Sequence, residues 1–120
     1  MCDVLVVEDQ AIVRMVLVDM LEDEGLAVRE AATPEDALRF MEGPAGCSVL
    51  VTDIDLGVAG MDGFVVAARG RHHTPDLSVL FLSGRPSHFN GRSYSEKERT
   101  LIKPFRREEL LTAVRALLSH

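Results

Sequence analysis

The chain predicts an α/β domain: a doubly wound, five-stranded parallel sheet with helices on both faces. Three observations carry that reading. The apolar runs at residues 4–7, 49–52 and 79–82 are continuous rather than alternating, as strands covered on both faces require. Segments with helical spacing separate them, and strands that alternate with helices pair in parallel through right-handed crossovers. Two of the runs finish in carboxylate, at Glu8, Asp9 and Asp53, and such sheets bind ligands beyond the carboxyl ends of their strands.

The elements follow in order. After the first strand, Ile12, Val13, Val16, Leu17, Met20 and Leu21 recur at helical spacing, and Gly25 follows Glu24 where that helix stops. Residues 26–31 form the second strand. Thr33 then offers an N-cap, Pro34 takes the first helical position, and Glu35 and Asp36 place acid in the first turn, so a second helix runs over 34–41. Gly43, Pro44, Ala45 and Gly46 turn the chain into the third strand at 49–52. A third helix starts over 63–68, and the fourth and fifth strands lie at 79–82 and 100–102. Between those two strands, Pro86, Asn90, Gly91 and several serines break the rhythm over 85–98, so the fourth helix is irregular or short. The last helix follows Lys103, Pro104 and Phe105, with Glu108 and Glu109 early and Leu110, Leu111, Val114, Leu117 and Leu118 as its buried stripe.

A chain of 120 residues makes one domain, spanning 1–120, with a core large enough to need neither disulfide nor structural metal. Its 47% hydrophobic and 27% charged residues exclude a disordered segment. A net charge of -6 argues against direct nucleic-acid binding and against an anionic membrane surface. Cys2 and Cys47 lack metal-ligand spacing and read as reduced thiols. Without a secretory leader pattern or an apolar stretch of membrane-spanning length, a cytoplasmic protein is expected. His72 and His73 follow Arg69 and Arg71 in what reads as a solvated polar link.

The chemistry lies at the strand ends. Buried strands gain stability from apolar area, so Glu8, Asp9 and Asp53 converging there cost solvation and mutual repulsion unless a cation is bound. Hard oxygen ligands suit Mg²⁺, or Mn²⁺, which takes one or two carboxylates beside water and phosphate oxygens. Asp53 can act as a carboxylate nucleophile. Ser83 after the fourth strand can give a hydrogen bond, and Lys103 after the fifth a point charge, to the oxygens of a transferred phosphoryl group. Asp55 and Arg85 each stand two residues beyond a site residue and read either as surface charge or as candidates for tuning hydrolysis, pairing across the water path to an acyl phosphate.

These residues, taken as Val7-Glu8-Asp9, Thr52-Asp53-Ile54-Asp55-Leu56, Met61-Asp62-Gly63, Leu82-Ser83-Gly84 and Lys103-Pro104-Phe105, make the chain resemble the receiver domain of bacterial two-component response regulators, of the chemotaxis-regulator kind. The resemblance covers essentially the whole length. It implies a flavodoxin-like strand order 2-1-3-4-5 and a phosphoacceptor switch. Asp53 would take phosphate from the phosphohistidine of a sensor histidine kinase or histidine phosphotransfer protein, change conformation, and slowly lose the group by itself. It further implies Mg²⁺ held by Asp9, Asp53 and the backbone carbonyl of Asp55, with Glu8 acting mainly through water. Output would pass to a downstream protein or effector domain, from a monomer or weak dimer.

Three departures from the family pattern stand out. Gly57, Val58, Ala59 and Gly60 lengthen the loop after the acceptor, where the family usually has an early proline. Thr100 occupies the usual place of the switch aromatic, with Tyr94 as a substitute, and the 85–98 segment makes the output surface atypical. Two other functions share the chemistry. The Asp53-Ile54-Asp55 pattern fits a haloacid-dehalogenase-like phosphatase, but there the paired acids follow the first strand of a longer chain. A phosphorylation-independent adaptor would not need the complete set of site residues.

Overall fold

A computed structural model of the chain describes residues 2–44 and 46–119. The strands are β1 (Cys2–Val7), β2 (Val28–Ala31), β3 (Cys47–Asp53), β4 (Ser78–Ser83) and β5 (Glu98–Ile102). The helices are α1 (Ala11–Glu22), α2 (Pro34–Glu42), α3 (Gly63–His73) and α4 (Arg107–Leu118). All pairings are parallel and the strand order is β2-β1-β3-β4-β5, as expected.

Side chains alternate across each central strand and so sort the helices between two faces. Val4, Val6, Val49, Val51, Leu80 and Leu82 pack with Leu17, Leu21, Leu110, Val114 and Leu117, which places α1 and α4 on one side. Leu5, Val7, Leu50, Val79 and Phe81 pack with Ala37, Met41, Val66 and Ala67, which places α2 and α3 on the other. This double covering is why the strands read as continuous apolar runs. The α2 start is the one the sequence encodes: Thr33 Oγ1 accepts from the Asp36 N–H at 3.1 Å, with Pro34 in the first turn.

Three expectations need correction. The buried face of α1 is Leu17, Val18 and Leu21, whereas Ile12, Met15 and Val16 are exposed by 74%, 56% and 44%. The helix carries apolar residues on more than one face, and only the sheet's position selects which is covered. His72 and His73 form the last turn of α3 rather than a link, where cationic side chains suit the helix dipole. Cys2 and Cys47 are joined as a disulfide: they sit opposite each other in the β1–β3 ladder with Cα atoms 4.5 Å apart. A pairing across 45 residues comes from register, which spacing does not reveal. The 85–98 segment holds a single 3₁₀ turn at Pro86–Phe89 and no α-helix, in line with the irregularity read from Pro86, Asn90, Gly91 and its serines. Of the turn before β3, Ala45 lies outside the described residues.

Candidate functional site

Register brings the acids together. Val7, the last residue of β1, pairs with Thr52, so Glu8 just beyond β1 comes beside Asp53 at the final position of β3. Carboxylate oxygens of Glu8, Asp9 and Asp53 all lie within 4.8 Å of one another. From β5, Lys103 reaches back so that Nζ donates to Asp53 Oδ2 at 2.9 Å and to Glu8 Oε1 at 3.1 Å. Its backbone is fixed by an N–H donated to the Ser83 carbonyl at 2.8 Å, and the following Lys103–Pro104 bond is cis.

Glu8 is only 1% exposed. Burial, helped by a hydrogen bond with Asp9, pushes its carboxyl up to about 7, against the opposing pull of the Gln10 N–H and the Lys103 ammonium. For Lys103, burial acts to lower the pKa. Hydrogen bonds and charge from Asp53 and then Glu8 outweigh it, so the net direction is upward and the ammonium is held charged. The site therefore has more acid than its one lysine neutralises, and the surplus is hard oxygen, the donor set that suits a small divalent cation.

The loops are shaped to let backbone approach this cluster. Gly57 has φ +72°, and a Cβ there would come within 3.1 Å of Asp9 Oδ2. At Gly63 a Cβ would overlap the Asp53 carbonyl oxygen, while the Gly63 N–H donates to the Ile54 carbonyl at 2.8 Å. Asp62 Oδ1 caps α3 by accepting from the Val65 N–H at 2.9 Å, which ties the loop after Asp53 to a helix start.

Asp53, Asp55, Ser83, Arg85 and Lys103 line one cleft of about 380 Å³, as the strand-end reading requires. One arrangement read from the sequence is not formed. Asp55 Oδ1 accepts from the Gly57 N–H at 3.2 Å, and among the described residues no ion pair joins Asp55 to Arg85. The short Asp55 side chain is satisfied locally by the glycine turn behind it. Thr100 stands opposite Phe81 in the β4–β5 ladder. Tyr94 instead packs against Phe81 and Phe89, with centroids 6.2 and 6.3 Å away, and its buried hydroxyl has no hydrogen-bond partner among the described residues.

Three contributors escape sequence reasoning. Gln10 donates its N–H to Glu8 Oε2, and Arg14 donates to the Glu8 carbonyl at 2.9 Å while pairing with Glu30. Both are ordinary residues of a helix start. His88, on the 3₁₀ turn, also lines the cleft, with its Nδ1 2.5 Å from Ser83 Oγ. A histidine in an aperiodic segment gives no sequence signal of where its ring points.

This arrangement is similar to known proteins. A family model described as the response regulator receiver domain matches residues 4–115. The sensor kinase CckA of Brucella abortus is 35% identical over 96% of this chain, and the transcriptional regulatory protein SrrA of Staphylococcus aureus is 31% identical over 97%. The chain spans only 12% of the former and 47% of the latter. Among solved structures, the receiver domain of the hybrid histidine kinase CckA aligns at a TM-score of 0.80 with 31% identity, covering 97% of this chain and 98% of that one. A response regulator receiver protein from Sinorhizobium medicae aligns at 0.87 with 25% identity, covering 98% and 94%.

Proposed function

Because the chain belongs to the response regulator receiver family, whose domains are phosphoacceptor switches of two-component signalling, we propose that Asp53 is the acceptor and that Glu8, Asp9 and Asp53, with the Asp55 carbonyl, hold Mg²⁺ or Mn²⁺. Residues 1–120 act as one receiver domain. The single observation that carries this reading is Lys103 Nζ bridging Asp53 and Glu8 beside three converging carboxylates.

When bound, the metal supplies positive charge that offsets the oxygens of the attacking and transferred groups. The remaining steps fall to the chain's own residues. An Asp53 oxygen attacks phosphorus and forms the acyl-phosphate bond, while the bond from phosphorus to the donor's imidazole nitrogen breaks and that nitrogen keeps the electron pair. Lys103, already hydrogen-bonded to Asp53, then faces a phosphoryl oxygen, and Ser83 supplies a hydroxyl donor from β4. Those contacts exist only in the phosphorylated state, so they bias the domain toward a second conformation.

The donor is a sensor histidine kinase or histidine phosphotransfer protein, in the cytoplasm. The exposed Ile12, Met15 and Val16 support a protein donor, since isolated apolar side chains are common but three on α1, the helix that begins two residues after Asp9, fit a docking rim. No helix among the described residues is long and apolar enough to cross a membrane. The domain acts as a monomer or weak dimer, without direct nucleic-acid binding, and passes its state to a downstream protein or effector domain. It catalyses its own phosphotransfer and dephosphorylation and turns over no external substrate.

Acetyl phosphate with Mg²⁺ tests the assignment directly. Intact mass should show one added phosphoryl group on the parent chain and none on Asp53→Asn, which keeps the shape and loses the nucleophile. Equal labelling of both would refute Asp53 as the acceptor.

A further inference from the structure

Ser83 Oγ is fully committed in this structure. It accepts from the Arg85 N–H at 3.0 Å, and its one proton has two acceptors in reach, the Arg85 carbonyl at 3.2 Å and, in the tautomer that leaves Nδ1 without hydrogen, His88 Nδ1 at 2.5 Å. A hydroxyl has one proton to give. If Nδ1 takes it, none is left for a phosphoryl oxygen at Asp53, so phosphate and histidine compete for the same donor. Ser83 itself is 1% exposed and ends a strand paired on both sides, which leaves the turn bearing His88 as the partner free to yield.

We propose that His88 is a positioning residue that latches Ser83 in the resting state, accepting the Ser83 hydroxyl proton at Nδ1 and releasing it when Asp53 is phosphorylated. The inference rests on Asp53 and Ser83 having the roles given above. The latch also has somewhere to send its movement. His88 lies on the same 3₁₀ turn as Phe89, whose ring meets Tyr94 edge-on, and Tyr94 in turn packs on Phe81 of β4. Release of His88 therefore loosens the segment that stands where Thr100 offers no aromatic ring to move. Phosphoryl capture by Ser83 and rearrangement of residues 86–94 become one event, because the hydroxyl cannot serve both partners.

The test uses beryllofluoride with Mg²⁺ as the phosphoryl mimic, and reads its affinity by fluorine resonance or calorimetry. His88→Phe keeps a ring and removes the acceptor, so it should bind about fivefold more tightly than the parent, the size expected when one competing hydrogen bond is removed. His88→Asn places a polar atom near the Nδ1 position and should restore parental affinity. In a Ser83→Ala background, neither substitution at His88 should matter. An unchanged affinity in His88→Phe, failure of His88→Asn to restore it, or an effect of equal size without Ser83 would each overturn the latch. Should His88→Phe not fold, His88→Ala read against His88→Asn decides the same point. Failure of the parent itself to bind beryllofluoride would overturn the Asp53 assignment along with the latch, whereas normal binding with no His88 effect overturns the latch alone.

Discussion

Lys103 Nζ lies 3.1 Å from Glu8 Oε1, joining the end of β5 to the end of β1 across 95 residues of sequence. The pair matters because Glu8 is the buried member of the acidic cluster and Lys103 is shared with Asp53. Whatever happens to the charge on either acid is felt by the other through the same ammonium.

Glu8 gives a pH dependence of definite sign. Its carboxyl rises from 4.5 to about 7 on folding, so the folded state favours the protonated form. The associated stability is present in full below pH 4.5 and is lost as pH rises toward 7. In EDTA, Glu8→Gln should therefore gain on the parent in melting temperature between pH 5 and 8, by a free energy on the order of 3 kcal/mol. Parallel stability curves for the two proteins over that range would contradict the assignment.

Mg²⁺ should stabilise the parent, since a cation that binds only the folded cluster shifts unfolding by mass action, about 2.7 kcal/mol at a hundredfold excess over Kd. Asp9→Ala should lose most of this response. Thermal melts at rising Mg²⁺ concentration measure it, and a parent that ignores the ion would rule out the metal site.

Removing Lys103 leaves Glu8 and Asp53 facing each other without their shared cation. Lys103→Ala should cost about 1–3 kcal/mol in EDTA and recover part of that in Mg²⁺. The switch should suffer more than the fold: amide shifts over residues 84–97 on beryllofluoride binding should shrink markedly. Shifts of parental size would show that Lys103 plays no part in coupling.

Asp55 is turned to the Gly57 N–H rather than to Arg85, so the two residues should influence acyl-phosphate lifetime independently. Both line the cleft that contains Asp53. Asp55→Ala and Arg85→Ala should each change the dephosphorylation rate with the melting temperature nearly unchanged, and the double variant should show additive free energies. Strong non-additivity would mean that the two pair in the phosphorylated state.

The sequence alone determined the architecture and the chemical cast. Continuous apolar runs can be buried only by helices on both faces, which fixes a parallel α/β sheet, and Thr33-Pro34 places a helix start through local hydrogen bonding. Carboxylates at the ends of such runs are costly without a cation, so the convergence of Glu8, Asp9 and Asp53 as a candidate site was legible, with Ser83 and Lys103 at the matching ends of later strands. What local pattern does not encode is which groups meet across register and which way a flexible side chain turns. Only the tertiary structure decided that Cys2 faces Cys47, that α1 buries Val18 and leaves Ile12, Met15 and Val16 exposed, and that Asp55 bonds to its own loop. It also decided the contact of His88 with Ser83, because an aperiodic segment has no repeating face, and its side chains take their directions from the packing of β4 and the aromatic cluster beside it.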